Sequence, residues 1–307
     1  VIQKNTVRVP KNLFTLKEGG EKITLKECFG EIDEAHFVAE TASSYIRDGV
    51  EASDIAVLYR ANFQSRVIEE AMLDIGLPYQ VLGTKFFDRK EIKDMLSYIR
   101  ASLNRDSLSD IRRIINTPVR GIGKTTMLKV MAGDTESLPP AMKAKIKVFY
   151  EKLEAINNFA QFNVPSEIIK FTLSESGIED AYKAGTEEEQ ERLENIKELV
   201  TLATRYDSLG PQEGLDALLT SAALASDQDT LEGAGAGVKL MTVHAAKGLE
   251  FKVVFIVGLE EGLFPHERAG QYKKTEEAEE ERRLFYVAIT RAKEKLYLTY
   301  ATTRTIY

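Results

Sequence analysis

Apolar and polar positions fall into three stretches with different periods along the chain. Over Ile23–Phe29 they alternate, like a strand. Asp33 stands where an N-cap belongs for a helix carrying Ala35, Val38, Ala39, Ala42 and Ile46. Ile55–Tyr59 is short and wholly apolar, as in strands covered on both faces. Val67, Ile68, Ala71, Met72 and Ile75 then recur at helical spacing until Gly76-Leu77-Pro78 stops them, and Tyr79–Leu82 reads as another strand. Strands separated by helices predict an α/β fold, a parallel sheet with helices on both faces.

From about Lys90 to Asp229 strand signals nearly vanish. Helical spacing over Ile92–Leu103, Leu108–Ile115, Ala141–Phe159, Pro165–Ser174 and Glu187–Tyr206 predicts an all-helical inserted domain. Residues 211–237 carry no interpretable motif, and the Gly/Ala-rich run 232–237 reads as a flexible linker. The α/β pattern then returns: a strand at Val238–Val243, a turn with Lys247-Gly248, a strand at Val253–Val257, a helix over Glu277–Ala292 and a last strand at Lys295–Tyr300. The predicted organisation is one α/β domain, residues 1–89 and 231–307, interrupted by a helical domain over 90–230.

Composition narrows the function classes. With 307 residues, 43% of them hydrophobic, the chain can bury more than one core. No apolar run approaches the roughly 18 residues that span a bilayer, so no membrane partner is expected. The amino terminus has no signal-peptide core and no initiator Met, as expected of a cytoplasmic protein supplied as a piece of a longer one. Cys28 is the single cysteine, which excludes an internal disulfide, and His36, His244 and His266 lack metal-ligand spacing, so no metal site is expected. The net charge of −7 argues against nucleic acid unless basic groups gather in one groove. Much of the negative charge lies in Glu187–Glu194, expected on a solvated helix face, and in Glu276–Glu281.

Gly121-Ile122-Gly123-Lys124-Thr125 imitates a phosphate-binding P-loop, but the first glycine of that motif would fall on Pro118, and a helix precedes the segment where a strand is required. A helix–hairpin–helix fits better. Its glycines let backbone approach a phosphate, the next helix offers amide N–H groups, and Arg120 and Lys124 add charge. An ordinary interhelical turn fits the pattern equally well.

Two segments concentrate chemistry. Thr242-Val-His244-Ala-Ala-Lys247-Gly248-Leu-Glu250-Phe251 joins two apolar strands, and strand ends are where α/β sheets bind ligands. Glu279-Glu-Glu-Arg282-Arg283-Leu-Phe-Tyr-Val-Ala-Ile-Thr290-Arg291-Ala-Lys293 predicts a largely buried helix over 284–289, with Arg291 near its end seeking an anion. A guanidinium aimed at a transferring phosphoryl group is one such use. Local salt bridges suit Arg282 and Arg283 better.

These two segments resemble motifs V and VI of UvrD/Rep/PcrA-type superfamily 1 DNA helicases. Leu259-Glu-Glu-Gly-Leu-Phe-Pro-His266, Tyr59-Arg60-Ala-Asn62-Phe-Gln64-Ser-Arg66 and Lys85-Phe-Phe-Asp88-Arg89-Lys90-Glu91 match three more of that family's signatures, in the expected order. The resemblance implies a second RecA-like domain with its helical insertion. It implies ATP with Mg²⁺ held mainly by a preceding RecA-like domain of the same protein, which would carry the Walker A loop absent here. Arg291 would then be the catalytic finger on the γ-phosphate, with Gly248 and Glu250 also at the nucleotide. Arg60, Asn62, Lys85, His244, His266 and Tyr307 would line a single-stranded DNA channel. Arg120, Gly121, Ile122, Gly123, Lys124 and Thr125 would hold duplex phosphates at the single-strand/duplex junction.

The function implied is ATP-driven 3′–5′ unwinding in DNA repair or replication, on the nucleoid and beside other repair or replication proteins. Against that family the connections at Val130–Leu138 and Ala269–Thr275 look short or irregular. Two other readings are a non-catalytic DNA-binding module of a repair assembly and part of a helicase–nuclease fusion.

Overall fold

The computed structural model describes residues 1–5, 19–227, 237–266 and 275–305. The predicted linker up to Ala236, most of the acidic loop (269–274) and Tyr307 lie outside the described residues.

The elements follow in chain order: β1 Thr24–Gly30, α1 Glu31–Arg47, β2 Ile55–Tyr59, α2 Ser65–Asp74, β3 Tyr79–Val81, α3 Lys90–Leu103, α4 Leu108–Ile114 and α5 Lys124–Met131. Then come α6 Pro140–Ala160, α7 Pro165–Ser176, α8 Ile178–Lys183, α9 Glu187–Ala203, α10 Pro211–Asp227, β4 Val238–Thr242, β5 Phe251–Ile256, α11 Thr275–Ile289 and β6 Ala292–Thr303. They form two compact units, one from Val1–Lys85 with Glu232–Thr305 and one from Phe86–Leu231.

In the α/β unit the six strands form one sheet in the order β1-β6-β5-β2-β4-β3, every pairing parallel. The alternation of β2 explains its two covers. Ile55, Val57 and Tyr59 face a core closed by Ala35, Val38, Ala39 and Ala42 of α1 and Val67, Ile68, Ala71 and Met72 of α2. Ala56 and Leu58 face the other way, toward Ala246, Phe264 and Ala288. Each fully buried aliphatic or aromatic side chain contributes about 1.5–3 kcal/mol, so these two layers fix the register of the central strands.

Among the described residues the second face carries one helix, α11, beside two chain segments. For that reason residues 284–287 and 289 are half-buried and Ala288 alone of 284–289 is buried, a correction to the burial expected for this run. The helix also stops earlier than the predicted Ala292. Arg291 Nε turns back to the Val287 carbonyl at 3.0 Å, and the Arg291 carbonyl accepts the Phe251 N–H at 2.9 Å, starting β6.

The helical unit packs Met95, Ile99, Phe149, Leu153, Ile156, Ile168, Ile196 and Leu199 into its own core. The acidic start of α9 lies outside, where Thr186 and Glu189 form a capping box. Helix α10 was not anticipated. Its signal is the spacing of Leu215, Leu218 and Ala222, all buried against the neighbouring helices. The connection 132–139 is closed by a tight turn in which Ser137 Oγ donates to Asp134 Oδ2 at 2.6 Å.

Candidate functional site

In an all-parallel sheet every strand ends at the same edge. Arg60 and Asn62 follow β2, Lys85 follows β3, His244 follows β4 and His266 lies in the loop after β5. Since β5, β2, β4 and β3 are consecutive in the sheet, these loops stand side by side. The row spans roughly 14 Å, three interstrand steps of about 4.8 Å. Asn62, His244 and His266 are exposed. Lys85 lies half-buried with its ammonium 5.1 Å from the Tyr79 ring centroid. The loop after β2 is shaped by buried Gln64, whose Oε1 accepts from the N–H groups of Arg60 at 3.0 Å and Ala61 at 2.8 Å.

Arg60 is engaged differently from its expected role. Both oxygens of Glu281 hold its guanidinium, Oε1 at 2.8 Å from Nη2 and Oε2 at 3.2 Å from Nε. A charge gripped in this forked geometry is not free for a DNA phosphate in this conformation. Glu281 Oε2 also accepts the His266 N–H at 3.0 Å, and Phe264 packs edge-on to Phe285, so the loop after β5 is tied to α11 twice.

The amino edge of the sheet holds a separate cluster. After β4, residues 243–250 run back over the second face to start β5, delivering Gly248 (φ +92°) and exposed Glu250 there. Arg291, between α11 and the adjacent β6, donates from Nη1 to the Leu249 carbonyl at 2.8 Å and from Nη2 to Thr290 Oγ1 at 3.0 Å. Among the described residues its hydrogen-bond partners are carbonyls and a hydroxyl, and none of these neutralises the positive charge. Lys252 pairs with Asp54 at 2.6 Å and not with its neighbour Glu250. Arg283 pairs with Glu280 at 2.6 Å, while Arg282 Nη1 donates to Asn5 Oδ1 at 2.7 Å.

In the helical unit, α4 leads into a hairpin and then α5, with Gly121 at φ +70° and Gly123 at the N-cap. Ile122 is buried, while Lys124 and Thr125 are exposed at the first turn of α5. Asn116 Oδ1 accepts from the N–H groups of Arg120 at 2.8 Å and Ile122 at 3.1 Å. Arg120 departs from its expected role. Its guanidinium turns inward to the carbonyls of Thr117 at 2.8 Å and Ser176 at 3.0 Å and to Tyr98 Oη at 2.6 Å. Burial pushes the Tyr98 phenol up to about 12 despite that cation, so it stays protonated as a hydrogen-bond partner. Lys145 Nζ, which sequence spacing gave no reason to single out, caps the Arg120 carbonyl at 2.8 Å.

The sequence matches the family described as UvrD-like helicase C-terminal domain over residues 1–303. The chain belongs to that family. It is 40% identical over 326 aligned positions to proteins named ATP-dependent DNA helicase PcrA from Staphylococcus epidermidis and Staphylococcus aureus. Those alignments cover 100% of this chain but 45% and 44% of the relatives, so it spans about half their length.

For this UvrD-like helicase domain, the fold separates the predicted residues into three groups. Gly248, Glu250 and Arg291 meet at the amino edge; Arg60, Asn62, Lys85, His244 and His266 share the carboxyl edge; residues 120–125 belong to the helical unit. Sequence reading missed Glu281, Gln64 and Asn116, which hold these loops in shape. Glu281 meets Arg60 across 221 positions, a separation that no local pattern reveals. Among the described residues no cluster of three or more His, Cys, Asp or Glu is arranged to hold a metal ion. No helix among them is long and apolar enough to cross a membrane.

Proposed function

We propose that this chain is the carboxy-terminal half of an ATP-dependent DNA helicase that moves 3′ to 5′ on single-stranded DNA. The observation that carries this reading is Arg291. Among the described residues no carboxylate is bonded to its charge, and it lies against the segment that delivers Gly248 and Glu250. ATP would lie at this amino edge, sandwiched against a preceding RecA-like domain. Glu250 would accept from a ribose hydroxyl. Arg291 would meet the γ-phosphoryl oxygens as charge spreads over them in the transition state, a preorganised stabilisation that costs no reorganisation at that moment. Mg²⁺ does not fit the residues described here; it would be held by the preceding domain.

The carboxyl edge is the proposed grip on single-stranded DNA. Lys85 supplies a cation for phosphates, His244 and His266 offer ring faces for bases, and Asn62 supplies hydrogen bonds. Duplex ahead of the junction would meet the 121–125 hairpin through glycine backbone, the Lys124 cation and the first-turn amides of α5. Alternate opening and closing of the ATP cleft converts hydrolysis into steps along the strand. Repair or replication intermediates are the corresponding DNA substrates, and the nucleoid the corresponding place.

In the full-length protein, Arg291→Ala is expected to lower ATP turnover by about a thousandfold or more. Its affinity for an oligonucleotide should stay within about threefold of the parent, because Arg291 lies at the amino edge, away from the proposed DNA grip at the carboxyl edge. Steady-state ATP hydrolysis with and without DNA, beside fluorescence anisotropy, measures both. Unchanged turnover overturns the reading.

A further inference from the structure

We propose that Glu281 is a positioning residue that couples DNA occupancy of the carboxyl edge to the placement of Arg291 at the amino edge, an inference that rests on the function proposed above. One carboxylate joins three elements. Its two oxygens hold the Arg60 guanidinium after β2 at 2.8–3.2 Å, and Oε2 takes the His266 N–H after β5 at 3.0 Å. The group itself sits on α11, with 14% of its side chain exposed. Ten residues further along, just past the carboxyl end of α11 at Ile289, Arg291 closes the helix. Arg291 bonds back to the Val287 carbonyl through Nε at 3.0 Å and to the Ala288 carbonyl through its N–H at 3.1 Å.

Helix α11 is therefore a rigid rod clipped near its middle, at Glu281, to two DNA-side loops and followed at its carboxyl end by the proposed finger. Its covering face favours movement, because residues 284–287 and 289 are half-buried while the opposite cover, α1, seats Ala35, Val38, Ala39 and Ala42 fully. A strand lying across the carboxyl edge touches both loops that Glu281 ties, so it displaces or fixes α11 through that carboxylate. Coupling of this kind is a free-energy difference between two arrangements, and removing the clip removes the difference. No alternative carboxylate is bonded to Arg60 or to the His266 N–H among the described residues.

The test uses the full-length protein. Glutamine keeps the shape of Glu281 but removes its charge and replaces one acceptor oxygen by a donating NH₂, so the forked grip on the Arg60 guanidinium is lost. For Glu281→Gln we expect ATP turnover without DNA within about twofold of the parent and DNA-stimulated turnover about tenfold lower. Affinity for an oligothymidylate, read by fluorescence anisotropy, should shift by less than about threefold.

Glu281→Asp, which keeps the charge and one contact, should recover part of the stimulation. If the Gln variant melts below the assay temperature, the Asp variant decides by the same ratio of stimulated to basal turnover. A parental ratio in the folded variants overturns the inference, and so does an equal fractional loss of basal and stimulated turnover. Arg291→Ala, measured in parallel, separates the two claims. If it leaves turnover intact, the site reading fails; if it abolishes turnover while Glu281→Gln keeps the parental ratio, only the coupling fails.

Discussion

Arg304 sets the sharpest stability prediction. Its side chain is 9% exposed and donates from Nη2 to Glu34 Oε2 and from Nε to Glu260 Oε2, both at 2.8 Å. Each carboxylate is further tied to backbone. Glu34 Oε1 accepts from the Gly258 N–H at 2.9 Å and the Thr299 hydroxyl at 2.6 Å, and Glu260 Oε1 accepts from the Ala301 N–H at 2.8 Å. The network thus joins α1, the end of β6 and the loop that leads to His266. Arg304→Met removes the cation and leaves two buried carboxylates facing each other. Breaking a buried pair this way costs about 3–5 kcal/mol, which for a unit of this size lowers Tm by roughly 6–20 °C.

The pH dependence follows from Glu260. Burial alone would raise its carboxyl, but the hydrogen bond and charge of Arg304 outweigh it and hold the group below 4.5. A depressed carboxyl stabilises the fold above its unfolded value and loses that contribution as pH falls through its folded value. The gap between parent and variant should therefore be widest at neutral pH and narrow below about pH 4.5. Calorimetry across pH measures it. Adding Glu34→Gln to Arg304→Met removes one stranded charge and should return at least about 1 kcal/mol. A loss under about 1 kcal/mol at pH 7, or a gap that widens in acid, refutes the reasoning.

Other outcomes separate contact from scaffold. Lys124→Ala should reduce the slope of log affinity against log salt for a duplex-containing substrate by about one without moving Tm, as loss of one phosphate contact does. Arg120→Ala should instead lower the stability of the helical unit by about 1–3 kcal/mol, because it strands the carbonyls of Thr117 and Ser176. Gly258→Ala should destabilise by more than about 2 kcal/mol. Its φ is +68°, and an added Cβ would lie 2.3 Å from Gln64 Nε2. Thermal melting of each variant beside the parent checks both.

Much of the fold was legible because it rests on local period. The alternation in Ile23–Phe29, the unbroken apolar run of β2 and the mostly apolar β4 and β5 identify strands, and the interleaved helices force them parallel. The order of strands was not legible. Nothing in the sequence of β2 says that it lies between β4 and β5, yet that order aligns the loops of Arg60, His244 and His266. The motifs named the chemical groups but not their occupation. Arg60 and Arg120 look identical to free cations in sequence, and only the approach of Glu281 and of the Ser176 carbonyl reveals that both are engaged. Leu215, Leu218 and Ala222 carried the signal for α10, but the small polar residues between them diluted it.

The sheet itself constrains how the two edges can communicate. Val57, Leu58, Phe255 and Ile256 are fully buried between the two covers, and close-packed interiors of this kind do not deform gradually. A signal from the carboxyl edge to the amino edge must therefore travel over the sheet, not through it. Among the described residues two segments make that journey on the second face: residues 243–250, which carry His244 at one end and Glu250 at the other, and α11, which is clipped at Glu281 and ends beside Arg291. They meet where Arg291 Nη1 donates to the Leu249 carbonyl. A displacement of either one moves the other, so Glu250 and Arg291 shift as a pair. Ribose and γ-phosphate contacts would then be gained and lost together.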